Sequence, residues 1–139
     1  SGTSAWTDLT SLSVSITPLS ASNKILIAFS VNVQGENNFY IRMMRNSTAI
    51  GIGNADGVKQ QVSAGNGYYG GYNAWQTMQL SAQYLDSPST TSATTYKLQG
   101  YTNNGGGSGS FYLNYSSHES DANGASRCLS TLTVMEIAA

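Results

Sequence analysis

Residues 25–33 read ILIAFSVNV, and the fold class can be predicted from this one segment. Apolar side chains occupy every second position from Ile25 to Val33. This alternation is typical of a β-strand with one buried face, because successive side chains point to opposite sides of a strand. Leu26 and Ala28 are apolar as well, so we expect the first half of the strand to be buried between two layers.

The same period of two recurs along the rest of the chain. It appears at Leu12, Val14 and Ile16; at Phe39, Ile41 and Met43; at Met78, Leu80, Ala82 and Tyr84; at Tyr96 and Leu98; at Phe111, Leu113 and Tyr115; and at Leu132 and Val134, with Met135 and Ile137 on the opposite face. Turn-forming residues separate these segments, and no window has the spacing of an amphipathic helix. The pattern predicts an all-β fold, a two-sheet antiparallel sandwich of jelly-roll type.

The composition agrees with this prediction and excludes several classes of protein. The 139 residues include 21 Ser, 13 Thr, 12 Asn and 15 Gly, which favour turns and half-exposed strands over helix interiors. A net charge of −1 excludes the basic surface that nucleic-acid binding needs. The longest apolar run, residues 25–29, is too short for membrane insertion. We expect residues 1–139 to form a single domain, with residues 1–4 a tag remnant or linker.

Charged residues are unusually few for a monomer of this size, at 9% against about a quarter in typical domains. Together with apolar side chains on both faces of some strands, this predicts that identical copies bury part of the surface of each chain. A monomeric Ser/Thr-rich extracellular module is the alternative. The single cysteine, Cys128, excludes an internal disulfide and is expected to be a small buried side chain at the start of a strand.

Several segments resemble the C-terminal domains of bacteriophage tail fibres. They are residues 7–18 (TDLTSLSVSITP) with 22–27 (SNKILI), 42–51 (RMMRNSTAIG), 85–96 (LDSPSTTSATTY) and 130–138 (STLTVMEIA). In order and spacing they cover most of the chain apart from two central loops. The resemblance implies a trimeric tip domain on the virion, with a jelly roll like that of the complement C1q and tumour-necrosis-factor heads. It implies no catalytic residue, and none is expected.

Two of these segments contain carboxylates for which we expect structural roles. Asp86, before Ser87 and Pro88, is expected to accept backbone N–H bonds in a turn. Glu136 is a charge within an apolar run and is expected to form an ion pair, because a buried carboxylate without a partner is costly. Arg42, Arg45 and Lys97 are the candidate partners.

Candidate ligand contacts cluster in the two loops outside the resemblance. Flat aromatic rings with polar edges suit sugars and protein receptors, and adjacent Gly and Asn residues let such loops adapt. The candidates are Tyr68, Tyr69, Tyr72 and Trp75 in one loop, and Asn103 and Asn104 in the other. The alternative is that Trp75 packs inward at a strand start while the tyrosines cover the end of a sheet.

The remaining candidate chemistry lies around the single histidine. His118, Glu119 and Asp121 could help to bind a metal at a threefold axis, but so sparse a ligand set is weak support for a metal site. A Ser–His hydrolase needs a geometry that neighbours in one loop seldom reach. A solvated polar loop is the default interpretation, and we expect no cofactor.

These observations lead to one functional prediction with two alternatives. We expect a non-enzymatic receptor-binding tip domain of a phage tail fibre, a homotrimer whose loops bind a bacterial surface glycan or protein. Such a domain would be made in the host cytoplasm and would act outside the cell as part of the virion. One alternative is a purely structural trimerisation or capping domain of a fibre. The other is a monomeric carbohydrate-binding module of a secreted protein.

Overall fold

The computed structural model describes residues 5–35, 38–66, 76–103, 110–118, 120–121, 123 and 125–139. These residues contain nine β-strands and no helix. In chain order the strands are β1 (Thr7–Ile16), β2 (Lys24–Gly35), β3 (Asn38–Arg45), β4 (Thr48–Ile50), β5 (Ala64–Asn66), β6 (Met78–Asp86), β7 (Thr94–Asn103), β8 (Phe111–Leu113) and β9 (Thr131–Ile137).

The strands form two antiparallel sheets that pack face to face. The five-stranded sheet has the order β1-β7-β3-β4, with β5 also paired to β3. The four-stranded sheet has the order β6-β2-β8, with β9 also paired to β2. Between consecutive described strands the chain changes sheet five times, after β1, β2, β5, β6 and β7, as is common in jelly-roll and other Greek-key sandwiches. The predicted all-β, two-sheet antiparallel sandwich is confirmed.

Strand β2 is the centre of the four-stranded sheet, and its alternation is confirmed. Ile25, Ile27, Phe29, Val31 and Val33 are each at most 4% exposed and point toward the other sheet. Their positions pair with β6 on one side and with β9 and β8 on the other. The period-two pattern therefore identified the strand that holds this sheet together.

The opposite face of β2 differs from the expectation of burial on both sides. Leu26 and Ala28 are only half-buried and lie on the outer face of the sheet. Leu26 is directly opposite Leu85 of β6 and Met135 of β9, which are 48% and 53% exposed. Within the single chain, no second layer covers these side chains among the residues described.

The core lies between the two sheets and joins them. Phe39 of β3 is fully buried, and its ring centroid lies 5.1 Å from that of Phe111 in β8. Leu9 and Leu12 of β1 and Leu98 of β7 complete the five-stranded side of this core. The inward positions of β9, Leu132 and Val134, pack against it, as the alternation predicts.

The turns between strands use the residues expected of them. Asn46 joins β3 to β4 with a φ of 52°, in the left-handed region that Asn tolerates. Its backbone N–H donates to the carbonyl of Thr95 at 2.7 Å, and its side-chain Oδ1 accepts from the Thr95 N–H at 3.0 Å. The hairpin is thereby fixed to the start of β7.

The predicted ion pair of Glu136 is wrong. Its Oε1 accepts hydrogen bonds from the Leu19 backbone N–H at 2.7 Å and from Asn23 Nδ2 at 2.6 Å. The Asn23 hydrogen bond in particular lowers the pKa of Glu136. Because this side chain is only half-buried, it needs no cation, and it instead ties the turn before β2 to the last strand.

Candidate functional site

Most of the predicted loop contacts lie outside the described residues. This applies to Tyr68, Tyr69, Tyr72 and Trp75 in the first loop, and to Asn104 in the second. Asn103 is the last residue of β7. These ligand contacts therefore remain predictions.

The strands that lead into the two loops nevertheless end side by side. Asn66, the last residue of β5, pairs with Phe39, and Asn103 pairs with Asn38, the neighbouring residue on β3. Asn66 Oδ1 also accepts a hydrogen bond from the Phe39 N–H at 2.8 Å. One end of the five-stranded sheet is thus the starting point of both candidate segments.

A row of three aromatic rings lies on the outer face of the sheet at this end. Tyr40 of β3 pairs with Tyr101 of β7, and their ring centroids are 6.1 Å apart with near-parallel planes. Trp6, just before β1, continues the row with its ring 5.4 Å from Tyr101. All three side chains are half-buried, so they combine fixed positions with remaining access to solvent.

Gly65 of β5 makes room for one of these rings. It pairs with Tyr40, and a Cβ atom at this position would lie 2.6 Å from Cδ1 of the Tyr40 ring. Real Cβ atoms do not approach other atoms so closely, so any larger residue would displace the ring. The glycine is therefore a requirement of the aromatic row and not of the local backbone conformation.

A ladder of polar side chains runs beside the rings on the same face. Arg42 donates from Nε and Nη2 to Gln99 Oε1 at 2.9 and 2.7 Å. Gln99 Nε2 donates to Asp8 Oδ1 at 2.7 Å, and Lys97 Nζ donates to Asp8 Oδ2 at 2.6 Å. Each contact joins neighbouring strands, so the ladder holds its side chains in fixed positions.

Arg42 links the ladder to the rings. Its guanidinium lies 4.2 Å from the centroid of the Trp6 ring, which is a cation–π contact. Its acceptor, Gln99, is neutral, and no carboxylate forms an ion pair with it among the residues described. Burial lowers the pKa of Arg42, which nevertheless stays protonated near neutral pH. We call Trp6, Tyr40, Arg42, Gln99 and Tyr101 the aromatic face.

The Asp8 end of the ladder makes a testable contribution to stability. The hydrogen bond from Lys97, followed by that from Gln99, lowers the pKa of Asp8. A lowered pKa in the folded state stabilises the fold above the unfolded-state value, and this gain disappears as the pH falls through the folded-state value. Because the Asp8 side chain is 43% exposed, solvent screening limits the gain to a few tenths of a kcal/mol.

We therefore expect Asp8→Asn to lower the free energy of unfolding at pH 7 by a few tenths of a kcal/mol. The difference from the wild type should shrink at pH 3, where the carboxylate is protonated in the unfolded chain. Urea unfolding at both pH values measures the difference in unfolding free energy, with Asp56→Asn as the control for a carboxylate in an exposed ion pair. A difference that stays constant with pH would contradict the assigned role of Asp8.

A second candidate site is a polar pocket of about 310 Å³ that brings His118 and Asp121 together. Tyr115 and Arg127 both line it and form an isolated backbone β-bridge, and the Arg127 guanidinium lies 5.1 Å from the centroid of the Tyr115 ring. Ser116, Ser120, Ala125 and Ser126 complete the lining. The arrangement offers several hydrogen-bonding groups to a small polar molecule.

Two observations bear on the reactive interpretations of this segment. The Ser116 hydroxyl donates to the main-chain carbonyl of His118 at 3.4 Å and not to its imidazole. In the described part of the chain, no three His, Cys, Asp or Glu side chains are close enough to hold a metal ion. Glu119 lies outside the described residues, so the weak metal prediction stays a prediction.

Sequence reasoning missed the aromatic face because its members are far apart in the chain. A signal was nevertheless present. Tyr40 alternates with buried Phe39 and Ile41, and Tyr101 is flanked by inward-facing neighbours in β7. Large aromatic residues at the outward positions of adjacent strands indicate a surface that is available for contact.

The fold and this face define the chain as an all-β sandwich with an aromatic, hydrogen-bonding surface on one sheet. Searches against known protein families and against curated proteins give no match to this sequence. None of the described residues belongs to a helix that is long and apolar enough to cross a membrane.

Proposed function

We propose that this chain is a non-enzymatic, receptor-binding tip domain of a bacteriophage tail fibre. It acts on the virion and recognises a glycan or protein on the bacterial surface. The observation that carries this proposal is the aromatic face, a preorganised row of rings and hydrogen-bonding groups on a rigid sheet. Its position beside the ends of β5 and β7 places it next to the starts of both predicted contact loops. The resemblance to tail-fibre domains supports the setting.

Binding of the labelled domain to a panel of bacterial strains tests this proposal by flow cytometry. We expect staining of a subset of strains and loss of that staining in the variant carrying Tyr40→Ala and Tyr101→Ala. Tyr84→Ala is the matched control, because Tyr84 is a partly exposed tyrosine on the other sheet. If the double variant stained the same strains as strongly as the wild type, this result would contradict a receptor role for the aromatic face.

The homotrimer forms the second part of the proposal, and the outer face of the four-stranded sheet supports it. Leu26, Leu85 and Met135 are cross-strand neighbours there, and Ile137 is 37% exposed beside them. Apart from Lys24 at one end, the described positions of this face carry no charge. We call these four apolar residues the uncharged face. Burial of such a surface by identical copies would explain why the chain needs so few charges.

This surface also favours the second candidate function, a structural domain that only trimerises and ends a fibre. Self-association needs the uncharged face but not the aromatic face. The two functions therefore predict different results for the tyrosine variant on cells. A trimer that stains no strain would favour the structural function.

We expect the wild-type chain to have a molar mass near three times 14.7 kDa in light scattering on a sizing column. Leu85→Lys with Met135→Lys should reduce it to that of the monomer, because burying two unpaired charges at a contact is strongly unfavourable. Val58→Lys, at a 98% exposed apolar residue outside this face, is the matched control and should leave the mass unchanged. A monomeric wild type would contradict the trimer, and a trimeric double variant would place the contact elsewhere.

A further inference from the structure

We infer that the aromatic face binds an acidic sugar, with the pyranose ring packed against Tyr40 and Tyr101 and the carboxylate paired with Arg42. This inference rests on the proposed receptor function and names the ligand class of that site. It follows from the shape of the ring row, from the charge of the face and from the rigidity of the polar ladder.

The ring row has the shape that a sugar requires. The Tyr40 and Tyr101 rings are stacked with near-parallel planes, 6.1 Å apart, and both side chains are half-buried, so part of their apolar ring surface and two hydroxyl groups remain available to a ligand. The C–H groups on one face of a pyranose make an apolar surface that can pack against such rings, while its hydroxyls project outward. Half-buried tyrosines can contact both kinds of group and lose little conformational entropy on binding.

The charge of the face selects an acidic ligand. Lys97 and Arg42 bring two positive charges to the ladder, and Asp8 supplies one negative charge, which pairs with Lys97. The Arg42 guanidinium is bound to a neutral amide, and its Nη1 atom has no hydrogen-bond acceptor among the described residues. A partly buried cation without a carboxylate favours a ligand that brings one, and Arg–carboxylate pairs are among the stronger polar contacts.

The spacing on β3 places the cation correctly relative to the rings. Tyr40 and Arg42 are two residues apart on the same face of one strand, which separates their Cα atoms by about 7 Å. This distance is close to the length of one pyranose with its carboxylate. The bonds to Gln99 and the contact with Trp6 already fix the guanidinium, so little side-chain freedom is lost on binding.

Titration calorimetry with the full chain tests the inference. The probes are oligosaccharides that contain glucuronic acid, galacturonic acid or N-acetylneuraminic acid, each paired with its carboxyl-reduced counterpart. We expect at least one acidic member to bind about tenfold more tightly than its reduced partner, the difference expected of one charge-assisted hydrogen bond. Raising the salt concentration should reduce this preference.

Variants assign the preference to the residues named. Arg42→Met should abolish the preference for the acidic sugar while leaving binding of the reduced one nearly unchanged. Tyr101→Ala should weaken both. Arg127→Met is the matched control, because Arg127 also stacks on a tyrosine but lies in the His118 pocket. Thermal unfolding and molar mass of each variant verify that fold and assembly are intact.

Several outcomes would overturn the inference. The first is equal binding of acidic and reduced sugars. The second is no binding of any probe at about 10 mM, the weak end of measurable affinity. The third is a preference for the acidic sugar that Arg42→Met leaves intact. Dissociation of the trimer by Tyr101→Ala would identify the face as a subunit contact instead. Staining of bacterial cells that is unaffected by Arg42→Met would overturn this ligand class but leave the receptor function standing. Binding of an acidic sugar without staining of any strain would support this ligand class but contradict the receptor function.

Discussion

Replacing Asp86 with Ala is expected to lower the free energy of unfolding by about 3 kcal/mol, the lower part of the range for removing one partner of a buried ion pair. Asp86 ends β6 and is 4% exposed. Its carboxylate accepts from Arg45 Nη1 at 2.9 and 3.0 Å and from the Tyr96 hydroxyl at 2.7 Å. The truncation leaves the buried Tyr96 hydroxyl without its acceptor and leaves the Arg45 guanidinium without its counter-charge, with the Ser87 carbonyl at 3.2 Å as its remaining acceptor. We expect a loss in the lower part of the range because the Arg45 side chain is 28% exposed, so water can solvate its charge.

Urea unfolding of Asp86→Ala, Asp56→Ala and Tyr96→Phe measures this loss and shows how much of it comes from the Tyr96 hydroxyl. Asp56→Ala removes a carboxylate from an exposed ion pair and should change the free energy of unfolding by less than about 0.5 kcal/mol. Tyr96→Phe removes only the hydroxyl and should cost about 1–2 kcal/mol, since the apolar ring stays in the core. A loss below about 1 kcal/mol for Asp86→Ala, the size expected of an exposed ion pair, would show that the cluster is not a structural clamp.

The clamp matters because its members come from both sheets. Asp86 belongs to the four-stranded sheet, while Arg45 and Tyr96 are paired residues of β3 and β7 in the five-stranded sheet. Burial and the hydrogen bond to Asp86 raise the pKa of Tyr96, so its hydroxyl remains a donor throughout the physiological pH range. The cluster fixes one end of the sandwich, and the aromatic face lies toward the other end of the same two strands.

The strands of the sandwich could be predicted because burial on one face imposes a period of two. This holds for β2, where every second side chain from Ile25 to Val33 is buried. It fails for β4 and β5, whose three residues each, TAI and AGN, contain too few apolar side chains to show the period in the sequence. Glycine also has a low strand propensity, so Gly65 argues against a strand in the sequence. It occurs in β5 because the Tyr40 ring of the neighbouring strand leaves no room for a Cβ atom there.

The partners of polar side chains were harder to predict than the strands. Asp86 was expected to accept backbone N–H groups in a turn, yet its carboxylate binds Arg45 and Tyr96 across the sandwich. Glu136 was expected to bind a cation, yet it binds a turn. Both contacts join residues that only the completed topology brings together, and the aromatic face has the same origin. Sequence clustering instead directed attention to loop tyrosines that are adjacent in the chain.

Phe39→Ala is expected to cost about 3–5 kcal/mol of unfolding free energy, because it removes a fully buried ring and leaves a cavity between the sheets. The ring also fills space beside a glycine of the neighbouring strand. A Cβ atom on Gly100 would lie 3.1 Å from Cζ of Phe39 and 3.2 Å from Cδ2 of Leu9. Gly100→Ala alone should therefore cost about 1–3 kcal/mol through overpacking.

The two substitutions should not be additive, because the methyl group added at Gly100 occupies space that Phe39→Ala vacates. We expect the double variant to be more stable than the sum of the single effects predicts, by about 1 kcal/mol, which is typical of residues that share a cavity. Urea unfolding of the wild type, the two single variants and the double variant completes this double-mutant cycle. The same cycle with Tyr101→Ala in place of Gly100→Ala serves as the comparison. Additive effects at Gly100 would mean that the core accommodates the methyl group by moving Leu9 instead. Phe39 would then contribute its buried area but would not limit the space above Gly100 on the inner face of β7.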